Sequence, residues 1–210
     1  MRPRPVLVTL ALVVSLLAAP AAVADSLPTM LAPCQKKPKS GQCFRALAGY
    51  AFGSTKALSE KDTGLTDEIG TILPKWNSTA TPLMQSYKDP KVTAAEYVRL
   101  ARAAQPKLRG YVDGMESRSQ KIQDDATHAL FTSIAGNYRQ RLNSFELLLN
   151  MVAAGDVVQE KVAFKQLLPE LEAARLLVRP MTQRLQALEA SKDVGAEFRK
   201  VIVYFDKGQQ

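Results

Sequence analysis

TAAEYVRLARAAQPKLRGYVDGMESRSQ (93–120), KIQDDATHALFTSIAGNYRQRLNSFELLLNMVAAG (121–155) and DVVQEKVAFKQLLPELEAARLLVRPMTQRLQALEA (156–190) decide the fold between them. Through the first stretch and just past it, apolar residues return in steps of three and four at Tyr97, Leu100, Ala101, Ala104, Leu108, Tyr111, Val112, Met115 and Ile122. The second repeats the period at Leu130, Ile134, Tyr138, Leu142, Phe145, Leu149 and Val152. The third repeats it at Phe164, Leu167, Leu168, Leu171, Val178, Met181, Leu185 and Leu188. Such stripes mark amphipathic helices whose apolar faces must bury against one another.

The punctuation agrees with that period. Asp89-Pro90 ends whatever precedes, and Thr93 with Glu96 makes a capping box for the first stretch. Asp124 or Asp125 caps the second, and Gly155-Asp156, with Gln159 three residues on, gives a stop and restart before the third. Connections this short force antiparallel neighbours. The expected fold is therefore all-α: an antiparallel up-down bundle of four to five long helices, plus a short C-terminal helix that puts Phe198, Val201, Ile202 and Phe205 on one face. Pro74, Pro82, Pro106, Pro169 and Pro180 fall inside helical patterns and predict kinks, since each removes a backbone hydrogen bond.

Upstream, a helix is expected from about Gln42 to Lys61, with Phe44, Leu47, Ala51 and Leu58 inward. Gly64 is its expected stop and Thr66 the cap of the next helix. That next helix carries Leu65, Ile69, Ile72, Leu73, Trp76, Ala80, Leu83 and Tyr87 on one face. A break between Pro74 and Pro82 is open to it, with Asn77-Ser78-Thr79 as the turn.

The first 24 residues read as a processing signal rather than as fold. Arg2 and Arg4 form a basic start, Val6–Ala19 an apolar run, and Ala22-Val23-Ala24 a small-x-small cleavage site. The run is shorter than the ~20 residues a membrane-spanning helix needs. Cleavage after Ala24 leaves an irregular leader (25–41) and a single helical-bundle domain (42–210). It also takes away two arginines and no acid, so the formal charge falls from +8 to +6. Cys34 and Cys43 are the two cysteines of the chain, and export to an oxidising compartment makes them a disulfide.

Composition, with 46% apolar and 23% charged residues, is that of an ordinary globular chain. Catalytic motifs are missing: no G-x-S-x-G, no glycine-rich phosphate loop, no H-E-x-x-H and no C-x-x-C-H. The lone histidine, His128, stands four residues after Asp124, which is helix-face spacing but not a metal site without further ligands. The expectation is thus a non-enzymatic periplasmic or secreted protein without metal or cofactor. It binds another envelope macromolecule and not nucleic acid, and has no transmembrane segment once the signal is removed. Its candidate protein-binding face is Arg99, Arg102, Arg109 and Arg139. The alternative is a small-ligand sensor or carrier with an internal cavity lined by Trp76, Tyr97, Tyr111 and Tyr138, left open where prolines spoil close packing.

Overall fold

A computed structural model describes residues 27–155 and 176–208. The signal-like segment and the expected restart at Asp156–Gln159, with Phe164, Leu167, Leu168, Pro169 and Leu171, lie outside the described residues. Among the described residues the regular structure is helical, with no strand. A 3-10 turn (Thr29–Leu31) leads into α1 (Ala32–Lys36), followed by α2 (Gly41–Phe52), α3 (Glu60–Lys88), α4 (Ala94–Ser119) and α5 (Asp125–Ala154). Helical residues 176–190 (α6) and α7 (Ala196–Gly208) complete the chain.

Helices α3, α4 and α5 form an antiparallel bundle. The end of α3 meets the start of α4 where Tyr87 and Tyr97 pack edge to face at 5.4 Å. At the opposite end Arg118 of α4 reaches Glu68 of α3 at 2.5 Å. The α4–α5 seam is laced by Arg139–Glu116 and Arg109–Glu146, both at 2.5 Å. Between α3 and α5, Trp76 and Tyr138 pack edge to face at 5.4 Å. Helix α2 leans on α5 through Phe52 and Phe131. The predicted inward residues Tyr97, Ala101, Leu108, Val112, Met115, Ile134, Leu142, Phe145 and Leu149 are buried, as are Met181, Leu185 and Leu188. Val178, placed on the same stripe, is instead exposed.

Capping residues set the boundaries. The Thr93 hydroxyl accepts from the Glu96 N–H at 3.2 Å, and the Asp124 carboxylate accepts from the Thr127 N–H at 3.0 Å. Gly155 ends α5 at φ 76°, the left-handed conformation that glycine adopts without strain.

Three boundaries differ from expectation. The helix expected to reach Lys61 stops at Phe52, where Gly53 turns left-handed at φ 90°. The Ser54 and Gly53 N–H groups then close back on the Gly49 and Tyr50 carbonyls, a Schellman end. The next helix starts at Glu60 instead of after Gly64, because the Ser59 hydroxyl accepts from the Asp62 N–H at 3.0 Å. Glu60 and Asp62 also place negative charge on its first turn. Finally, α3 runs through Pro74 and Pro82 without the break between them that the sequence left open; α4 continues through Pro106, as expected. An interior proline costs about 3 kcal/mol, and burial of Ile69, Ile72, Trp76 and Leu83 along one face outweighs it.

Residues 29–36, expected to be irregular, are helical. Leu31 and Cys34 are fully buried in a core that continues to Ile202 of α7. Pro33 sits in the first turn of α1, where its missing N–H has no partner to lose. Cys34 and Cys43 form a disulfide that ties α1 to the first turn of α2. Alkylation of the protein without reductant is expected to label neither cysteine; two labelled cysteines would refute the bridge. The doubly substituted Cys34→Ser, Cys43→Ser protein should lose about 2–3 kcal/mol of stability on the loop-entropy estimate, read by denaturant unfolding.

Candidate functional site

The polar centre of the molecule lies at one pole of the bundle. There the loop 53–59 meets the turn between α4 and α5 and borders a half-open pocket of about 280 Å³. It is lined by Lys56, Ala57, Leu58, Ser59, Asp62, Gln123 and Asp124. The loop is brought there by Gly49, whose missing side chain lets the Lys56 carbonyl come within 2.5 Å of where a Cβ would stand. Leu58 then donates its N–H to the Arg45 carbonyl and buries its side chain.

Asp62 is 3% exposed. One of its carboxylate oxygens accepts from the Gln123 N–H at 3.0 Å and the other from the Asp124 N–H at 3.2 Å. Asp124, in turn, accepts from the Ser54 hydroxyl and from the Thr127 hydroxyl and N–H. Burial of Asp124 opposes its ionisation. The hydrogen bonds from Ser54 and Thr127, with the positive charge of Lys56, outweigh that and hold the carboxyl below its usual range. His128 points elsewhere, with Nδ1 2.9 Å from the Ser119 carbonyl oxygen and therefore carrying a proton toward it. Asp62 thus takes one donor of the chain on each oxygen, and Asp124 takes its three donors on Oδ2, which gives both carboxylates a structural role at the α4–α5 turn. Among the described residues no cluster of three or more His, Cys, Asp or Glu side chains is arranged to hold a metal.

The candidate basic face is present on α4 and α5, but most of its charge is internally paired. Arg99 is held by Glu96 at 2.6 Å, Arg109 by Glu146 at 2.5 Å, and Arg139 by Asp113 and Glu116 at 2.5 Å. The hydrogen bond from Arg109 holds the Glu146 carboxyl below its usual range. Arg102 is exposed and, among the described residues, has no acidic partner within ion-pair distance.

The four aromatic residues do not share one space. Trp76 and Tyr138 fill the gap between α3 and α5 with their own rings, and Arg141 lies over the Tyr138 ring at 4.6 Å. Tyr97 packs on Tyr87 nearer the other end, and Tyr111 is half-buried. Burial pushes the Tyr138 phenol up, against the opposing charge of Arg141.

Two arginines overlooked in the sequence act as clamps. Arg184 of α6 donates to the Ala51 carbonyl at the C-terminal end of α2, where positive charge complements the helix dipole. Arg199 of α7 donates to the carbonyls of Glu189, Ser191 and Val194, fastening the α6–α7 turn. A basic residue in a last helical turn is the kind of local signal that suggests such a clamp, but both act across elements. No helix among the described residues is long and apolar enough to cross a membrane. Compared with known proteins, the chain matches no family model, no curated protein and no solved structure.

Proposed function

We propose that the protein is exported and acts in the cell envelope as a non-catalytic binding partner of another macromolecule, met through the outer face of α4. Export is supported by the ordered signal features of residues 1–24 and by the Cys34–Cys43 bridge, a bond that persists in oxidising compartments. The non-catalytic reading is supported by a sequence without a recognised catalytic motif and by the structural use of Asp62 and Asp124, which hold the α4–α5 turn and cap α5.

The observation that carries the binding reading is the contrast along α4. Arg99 and Arg109 are neutralised by acids of the chain, while Arg102 between them stays exposed and unpaired among the described residues. An acidic partner meets a steering charge there without first breaking an internal pair.

Arg102 is also the clean probe, because reversing Arg109 or Arg139 would strand an acid on the seam. The partner is first captured from envelope extract at low and high salt. Arg102→Glu is then expected to slow association by a factor on the order of three to ten and to flatten its salt dependence, with the melting temperature unchanged. Unchanged association kinetics would refute this face. A small molecule retained in native mass spectrometry, with no protein partner, would move the assignment to a small-ligand carrier.

A further inference from the structure

A second surface, remote in sequence from Arg102, is left unused by the proposed binding face. From Ser26 to Ser59 the chain contains no acidic residue, while Lys36, Lys37, Lys39, Arg45 and Lys56 are basic. Arg45 is held by Glu60 at 3.1 Å, and Lys56 stands beside the Asp124 carboxylate. Lys36, Lys37 and Lys39 remain, all exposed at the end of α1 and on the short loop that the disulfide fixes between α1 and α2.

This knuckle sits against α7. Glu197 lies 3.9 Å from Lys39 and 2.7 Å from Lys200, so one carboxylate is shared by two ammonium groups and the patch keeps a positive excess. Helix α2 begins at the same place with no acid in its first turn, which leaves its positive dipole end uncompensated. One turn beyond Lys200, on the same face of α7, Tyr204 is 74% exposed, the most exposed of the large apolar side chains described.

Lysines with an exposed tyrosine beside them match the chemistry of a lipid headgroup layer. The ammonium groups meet phosphate, and the amphipathic ring settles at the boundary with the acyl chains. A purely ionic protein partner gives no role to the ring. We propose that the Lys36-Lys37-Lys39 knuckle, together with Lys200 and Tyr204 of α7, docks the protein reversibly on an anionic phospholipid surface.

The test is co-sedimentation of the mature protein with vesicles of phosphatidylglycerol mixed equally with phosphatidylcholine, and with phosphatidylcholine alone. Binding is expected to the first only and to fall with salt. Lys36→Glu, Lys37→Glu and Lys39→Glu together should reduce partitioning at least tenfold, since each lysine is worth roughly fivefold near such a surface. Tyr204→Ser should reduce it about threefold. The matched control is Lys75→Glu, Lys91→Glu and Lys107→Glu, which makes the same charge change at exposed positions elsewhere. An equal loss in that control would show a general effect of net charge and overturn the proposal. So would equal binding to uncharged vesicles, no binding at low salt, or tighter binding to polyglutamate than to the anionic vesicles. Circular dichroism of each variant confirms that these surface changes leave the helices intact.

Discussion

Replacing Gly49 with alanine is expected to lower the unfolding free energy by about 2–3 kcal/mol, the cost of overpacking a site that cannot yield. The new methyl would stand 2.5 Å from the Lys56 carbonyl oxygen, 3.2 Å from Met30 Cε and 3.4 Å from Ser54 Cβ. The methionine can swing aside, but the carbonyl belongs to a loop held at both ends. Ser54 is fixed by its N–H on the Gly49 carbonyl and its hydroxyl on Asp124. Leu58 is fixed by its N–H on the Arg45 carbonyl and by burial to 3%. Moving Lys56 therefore disturbs the α2 end and the polar pole together. Gly70 and Gly110 provide the contrast. Both lie inside helices with nothing within 4 Å of a built Cβ, so Gly70→Ala and Gly110→Ala should each gain about 0.5–1 kcal/mol from reduced backbone entropy. Urea unfolding of the three variants decides the matter. A Gly49→Ala protein as stable as the other two would mean that the loop does not approach α2 this closely.

What the sequence made legible was whatever depends on neighbours in the chain. The stripes through Tyr97 to Met115 and Ile134 to Leu149 follow from a period of 3.6, and the caps at Thr93 and Asp124 and the stop at Gly155 act within one turn. The α2–α3 boundary misled for a physical reason. Ala51 and Leu58 are seven residues apart, two helical turns, so a loop that returns to the core mimics an unbroken stripe. Gly64 looked like a stop, yet a helix tolerates an interior glycine at about 1 kcal/mol when its other face is buried. The polar pole was illegible because its bonds join residues 61 to 70 positions apart, and no spacing rule links Asp62 to Gln123 or Ser54 to Asp124. The same blindness inflated the basic face. Arg139 has no acid three or four residues away on its own helix, and the acids that hold Arg109 and Arg139, Glu146 and Glu116, sit on the facing helices.

Asp62→Ala is expected to have the largest effect of any single change at the pole, about 3–5 kcal/mol. Each hydrogen bond to a charged group contributes about 1.5–3 kcal/mol, and two are lost at once. The Gln123 and Asp124 N–H groups would be left without their acceptor at the point where α4 turns into α5. Asp62→Asn keeps one carbonyl oxygen and should recover roughly half of the loss. Because Asp124 caps α5 from the same turn, its ionisation is coupled to this lock. Its carboxyl is held below the usual range in the folded chain, so the folded state favours the charged form. The resulting stability is complete above the ordinary carboxylate range and is lost as pH falls through the depressed folded value. Asp124→Asn should therefore lower stability at neutral pH and make its fall in acid less steep. Hydrogen exchange supplies the local readout: the Gln123 and Asp124 amides should lose protection in Asp62→Ala while those of Leu108 and Leu142, deep in the bundle, follow only the global stability. A variant within about 1 kcal/mol of the parent, with those two amides still protected, would show that the pole is held by something other than Asp62.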